Sequence, residues 1–138
     1  MRLFLDASVL LAAAGSSNGA SRALFSYGRR QGWVLVSSPY AVNEVLRNLP
    51  KLPVGATTTW LGLRSQVLVV DDVVSLDRPV VFAASKDRPI LFTALAWTEV
   101  LLTLDKFDFA DVLGGEFYGL RVLLPYQLLG LERSAGRL

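Results

Sequence analysis

Five short apolar runs set the frame of this chain: Arg2-Leu3-Phe4-Leu5, Trp33-Val34-Leu35-Val36, Val67 to Val70, Val100 to Leu104 and Leu120 to Leu124. Unbroken apolar runs of this length suit strands covered on both faces, as in parallel sheets; a strand with one wet face would alternate instead. The stretches between them carry helix signals. Ala7 to Ala14 reads as a helix, followed by a loop at Gly15 to Gly19. Ser21 is expected to cap a second helix ending before Gly32, and Ser37 or Ser38 with Pro39 to open a third that carries Glu44. Thr57 to Ser65 reads as a helix with Thr at its start, and Lys86-Asp87-Arg88-Pro89 as a helix start leading into Ile90 to Trp97. Asp77-Arg78-Pro79 reads as punctuation before a short element at Val80-Val81-Phe82. Pro125 stops the last strand, and the tail from Glu132 is expected to fray. Strands alternating with helices predict a three-layer α/β/α fold around a central, mainly parallel sheet.

The 138 residues and the even composition predict one domain spanning residues 1–138. With 52% hydrophobic and 19% charged residues, disorder is excluded as a reading. The apolar excess is more than one small core can hide, which points to a partner face, with a homodimer as the expected form. No run approaches the length that spans a bilayer. Asp6 interrupts the apolar N-terminal stretch that, with Ala12-Ala13-Ala14 behind it, imitates an export signal; a cytoplasmic protein is expected, without membrane attachment.

The chain has no cysteine and no histidine. That removes disulfides, Ser-His-Asp and Cys-His triads, and His/Cys zinc sites. Hydrolytic chemistry must then rest on carboxylates, hydroxyls, Lys, Arg or a metal held by oxygen.

Ligands in open α/β sheets sit beyond the carboxyl ends of the strands, and Asp6 and Asp105 both follow strands there. A carboxylate directly behind an apolar run is expensive unless something offsets it. Glu44 sits mid-helix, where an exposed face is the plain alternative. Asp87 starts a helix, where capping is the plain alternative. Were the four to converge, mutual repulsion would raise their pKa values, and Mg²⁺ or Mn²⁺ would remove the penalty. Lys86, Arg88 and Lys106 flank two of these acids and are candidates for phosphate contacts, with a solvated rim as the alternative.

Several segments resemble the PIN-domain nucleases, in that family's order. Leu3-Phe4-Leu5-Asp6-Ala7-Ser8-Val9-Leu10 looks like their opening motif, and Pro39 through Leu46, with Glu44, like the second. Lys86-Asp87-Arg88-Pro89-Ile90-Leu91, with Ala94-Leu95, resembles the third, and Thr103-Leu104-Asp105-Lys106-Phe107-Asp108-Phe109 the fourth. The run from Tyr118 to Leu128 resembles the closing strand. The resemblance implies a Mg²⁺- or Mn²⁺-dependent endoribonuclease with Asp6, Glu44, Asp87 and Asp105 as the carboxylate site. It makes Asp108 an additional ligand or a residue that orients water, and Ser8 and Thr103 supporting hydroxyls. It also implies a VapC-like toxin held inactive by an antitoxin protein. Family members often carry Gly where this chain has Leu104, so a displaced site is expected there. Lys51 to Ser65 has no counterpart in the resemblance.

Two other readings compete. One keeps the fold without the chemistry, as a degenerate RNA-binding or protein-interaction module. The other is a receiver-type phosphoacceptor domain, which would want adjacent acids after the first strand, where Asp6 stands alone.

Overall fold

Leu5 and Leu102 stand side by side in neighbouring parallel strands, and this register decides where the acids go. The computed structural model describes residues 1–76, 82 and 85–138. The punctuation expected at Asp77-Arg78-Pro79, and Val80 and Val81 of the short element expected beside it, lie outside the described residues. The strands are β1 (Arg2–Leu5), β2 (Val34–Ser37), β3 (Leu68–Val69), β4 (Val100–Leu102), β5 (Glu116–Phe117) and β6 (Leu120–Leu123). They form one sheet in the order β3-β2-β1-β4-β6-β5, parallel throughout except for the β5–β6 hairpin.

Successive side chains of a strand point to opposite faces. Leu3, Phe4 and Leu5 are nonetheless all fully buried, as are Val100, Leu101 and Leu102, so both faces of the sheet centre are covered. The three-layer α/β fold expected from the apolar runs is therefore observed. The covering helices are α1 (Ala7–Gly15), α2 (Ala20–Gln31), α3 (Pro39–Asn48), α4 (Ala56–Arg64), α5 (Arg88–Trp97) and α6 (Pro125–Ser134). Helix α1 packs against α2, α3 and α4, and α5 packs on β1 and β4. Among the described residues no helix is long and apolar enough to cross a membrane.

Several local expectations shift. Helix α2 starts at Ala20 with Gly19 at its cap, and Ser21 is buried inside its first turn. Gly55, with φ of 96°, takes the capping position of α4, so the helix begins before Thr57; left-handed backbone at that corner favours glycine. Ser38, not Ser37, caps α3; the Ser37 hydroxyl instead donates to the carbonyl of Leu5 inside the sheet. The chain beyond Glu132 is not frayed: α6 runs to Ser134, Glu132 is buried, and Arg137 folds back to pair with it. Pro125, read as a strand stop, also starts this helix. Of the tryptophans, Trp60 is core, Trp97 is exposed and Trp33 is half-buried.

Candidate metal centre

Parallel pairing of β1 with β4 carries the chain past Leu5 and past Leu102 at the same edge, so Asp6 and Thr103 emerge together. The Asp6 amide continues the ladder by donating to the Leu102 carbonyl at 3.0 Å. Its side chain then turns inward. Asp6 Oδ1 accepts from the Ala7 amide at 2.8 Å, capping α1, and Oδ2 accepts from the Thr103 hydroxyl at 2.8 Å and the Ser8 hydroxyl at 3.2 Å. These hydroxyls also hold the opposing loop. Thr103 Oγ1 accepts from the Asp105 amide and Ser8 Oγ from the Leu104 amide, both at 3.0 Å. Ser8 and Thr103 thus tie the two acidic loops to each other.

The loop after β4 is folded by Asp105 itself. Asp105 Oδ1 accepts from the amides of Phe107 and Asp108 at 3.1 and 2.9 Å, turning the chain back so that Asp108 faces Asp105. Phe109 is fully buried and stacks on Phe82, which anchors the turn in the core. From the other side, a short 3-10 turn at Ser85–Asp87 brings Asp87 to the same place. One carboxylate oxygen from each of Asp87, Asp105 and Asp108 lies within 4.8 Å of the other two.

Asp87 stands at the cap of α5 yet makes no capping hydrogen bond, which removes the plain alternative for this residue. Its Oδ2 is buried without a hydrogen-bond partner. Such an orphaned oxygen is uncommon in a folded protein and calls for an ion, a proton or water. Burial pushes the Asp87 carboxyl up to about 7, helped first by the neighbouring Asp108 carboxylate and then by the charges of Asp6 and Asp105. Asp108 is correspondingly held below the usual carboxylate range, first by Lys86 and then by Asp87. Burial likewise raises Asp6 to about 6; its bonds from Thr103, Ala7 and Ser8 pull it down, and the charge of Glu44 adds to the rise.

The closest set is therefore Asp87, Asp105 and Asp108. Asp6 lies beside it, fixed by the two hydroxyls, and Glu44 is near enough on α3 for its charge to be felt at Asp6. The three expected cations differ. Lys86 Nζ sits 2.9 Å from Asp108 Oδ2, and Arg88 Nε donates to the Phe82 carbonyl at 2.8 Å. Lys106 is exposed. At Leu104 the backbone is not one of the positive-φ positions, so no glycine freedom is needed there.

Tyr40 is a site residue that sequence reasoning missed. Its hydroxyl donates to the Lys86 carbonyl at 2.7 Å, tying α3 to the turn that carries Asp87. Burial, then the charges of Glu44 and Asp87, raise its phenol. Its spacing four residues before Glu44, on one helical face, was the available signal.

The donor set is hard oxygen throughout, which suits Mg²⁺ or Mn²⁺ rather than a softer metal. Three clustered carboxylates, among them Asp87 with its raised pKa and its partnerless oxygen, fit such an ion.

No protein-family model matches the chain, and no curated protein matches it. A solved structure does: the crystal structure of VapBC2 from Rickettsia felis bound to a DNA fragment from their promoter. The match has a TM-score of 0.62 at 12% identity, over 88% of this chain and 97% of that one. At that identity the likeness is one of fold, and the α/β architecture of this chain is PIN-like.

Proposed function

We propose that this chain is a metal-dependent endoribonuclease, a single PIN-like domain over residues 1–138 working in the cytoplasm as a homodimer. The observation that carries this reading is the buried, partnerless Oδ2 of Asp87 inside a set of three carboxylates whose oxygens lie within 4.8 Å. Asp87, Asp105 and Asp108 would hold Mg²⁺ or Mn²⁺, with Asp6 and Glu44 completing the acidic site. When bound, the ion would supply Lewis acidity to water and neutralise charge at an RNA phosphodiester. The chain's own part is positional. Thr103 and Ser8 orient Asp6, Asp105 folds its own loop, and Tyr40 holds the turn that presents Asp87. Lys86, Arg88 and Lys106 surround two acidic segments and would meet RNA phosphates. Cleavage of this kind leaves a 5′-phosphate and a 3′-hydroxyl.

The fold likeness to VapBC2 supports a toxin role with an antitoxin protein as partner. Leu104 and Phe107, 39% and 88% exposed on the loop that carries Asp105 and Asp108, offer apolar surface for such a partner. Co-purification with the product of a neighbouring reading frame, and loss of cleavage on binding it, tests this role.

The test of the chemistry is RNA cleavage with Mn²⁺ by the wild type, Asp6→Asn and Asp105→Asn. Both variants should fold and neither should cleave. Wild-type cleavage by either one overturns the assignment.

A second reading has its own observation: the Lys86 ammonium already sits on Asp108, as it would in a degenerate module whose cation is internal. Calorimetry with Mn²⁺ separates the two, since a degenerate site takes up no metal.

A further inference from the structure

Lys86 holds an unusual position for a residue expected on a solvated rim. It immediately precedes Asp87, and its backbone is pinned to α3 through the Tyr40 hydroxyl. Its side chain, 72% exposed, reaches Asp108, whose side chain is only 11% exposed, at 2.9 Å. Asp108 in turn has an oxygen in the same cluster as Asp87 and Asp105. The ammonium thus touches one of the three carboxylates that face a common point. An ammonium and a divalent ion both seek carboxylate oxygen, but the first is singly charged and carried on a flexible stem. Its exposure leaves it free to swing away.

We infer that Lys86 is a built-in counter-cation that holds Asp108 while the centre is empty and must be displaced when a divalent ion enters. This rests on the reading of Asp87, Asp105 and Asp108 as a metal centre. Lys86 therefore sets the threshold for metal loading. Once displaced, it stands as a free cation beside the loaded centre, where a phosphate can take it. Holding the empty centre together and admitting the metal are in this way opposed through one side chain.

Mn²⁺ binding, measured by calorimetry without RNA, tests the inference in the wild type, Lys86→Gln, Lys106→Gln and Asp105→Asn. Removing a competing exposed ion pair should tighten Mn²⁺ binding by roughly fivefold in Lys86→Gln. Lys106→Gln removes an equal charge from the same rim without breaking the contact with Asp108, so it should change affinity distinctly less. Binding only by Lys86→Gln, with none by the wild type, also supports the inference. Equal or weaker binding by Lys86→Gln overturns it while leaving the metal centre intact, as does an equal gain in Lys106→Gln. Absence of binding in both the wild type and Lys86→Gln, or unchanged binding in Asp105→Asn, overturns the metal centre and the inference together.

Discussion

The Thr103 hydroxyl donates to Oδ2 of Asp6 at 2.8 Å, joining two loops 97 residues apart in the chain. Because Thr103 Oγ1 also accepts from the Asp105 amide, one hydroxyl positions acids on both loops. Thr103→Val keeps the shape and removes the hydroxyl. It should cost about 2 kcal/mol, because buried polar groups on both sides lose a partner. It should also raise the Asp6 carboxyl further, since Thr103 is the strongest influence pulling it down. Urea denaturation and a carbon-detected NMR titration of Asp6 check the two effects, and Thr103→Ser should recover most of each.

Stability of the metal-free protein should fall as pH rises from about 4 to about 7. Asp6 moves from 3.8 to about 6 on folding and Asp87 from 3.8 to about 7. For both groups the folded state holds the proton more tightly than the unfolded chain does. The stabilisation is thus complete below the unfolded pKa and is lost as pH passes the folded one. Asp6 alone contributes on the order of 3 kcal/mol to this change. Denaturant midpoints across that range should decline without Mn²⁺ and decline less with it, because a bound cation favours the ionised acids. A flat metal-free profile would contradict the burial of Asp6.

Leu104→Gly should not improve the site. The backbone there does not take a positive φ, and its amide already reaches Ser8. Glycine adds unfolded-chain freedom and should cost about 0.5–1 kcal/mol, with Mn²⁺ affinity unchanged. Tighter metal binding in this variant would mean that the leucine distorts the loop.

Arg137→Ala should destabilise the protein by about 1–2 kcal/mol, because it leaves a buried carboxylate without its partner. Glu132 has a side chain 5% exposed, whereas Arg137 is 64% exposed, so the loss is smaller than for a fully enclosed pair. Glu132→Gln in the same background should recover part of it, as read by chemical denaturation.

Much of the architecture was legible because burial on both faces forces unbroken apolar runs, and Leu3 to Leu5 and Val100 to Leu102 are such runs. Strand β5 was not legible, and helix α6 was passed over. Glu116-Phe117 is too short to carry a period, and it pairs only because Tyr118 and Gly119, with φ of 50° and 90°, turn the chain back onto β6. For α6 a signal was present, since Pro125 stands in its first turn and Leu128, Leu129 and Glu132 follow at helical spacing, but Pro125 was read only as a strand stop.

By itself, the sequence determined which residue types could do chemistry and that acids would follow the strands, since a chain without His or Cys leaves carboxylates as the remaining ligands. It could not rank them. Only the tertiary structure decided that Asp87, Asp105 and Asp108 form the closest set, that Asp6 is held apart by Thr103 and Ser8, and that Lys86 lies on Asp108. The reason is one of scale. Apolar pattern places a residue on an element, whereas the contact between two carboxylates depends on strand register and on how loops fold over the sheet edge. Those are settled by packing between segments far apart in the chain.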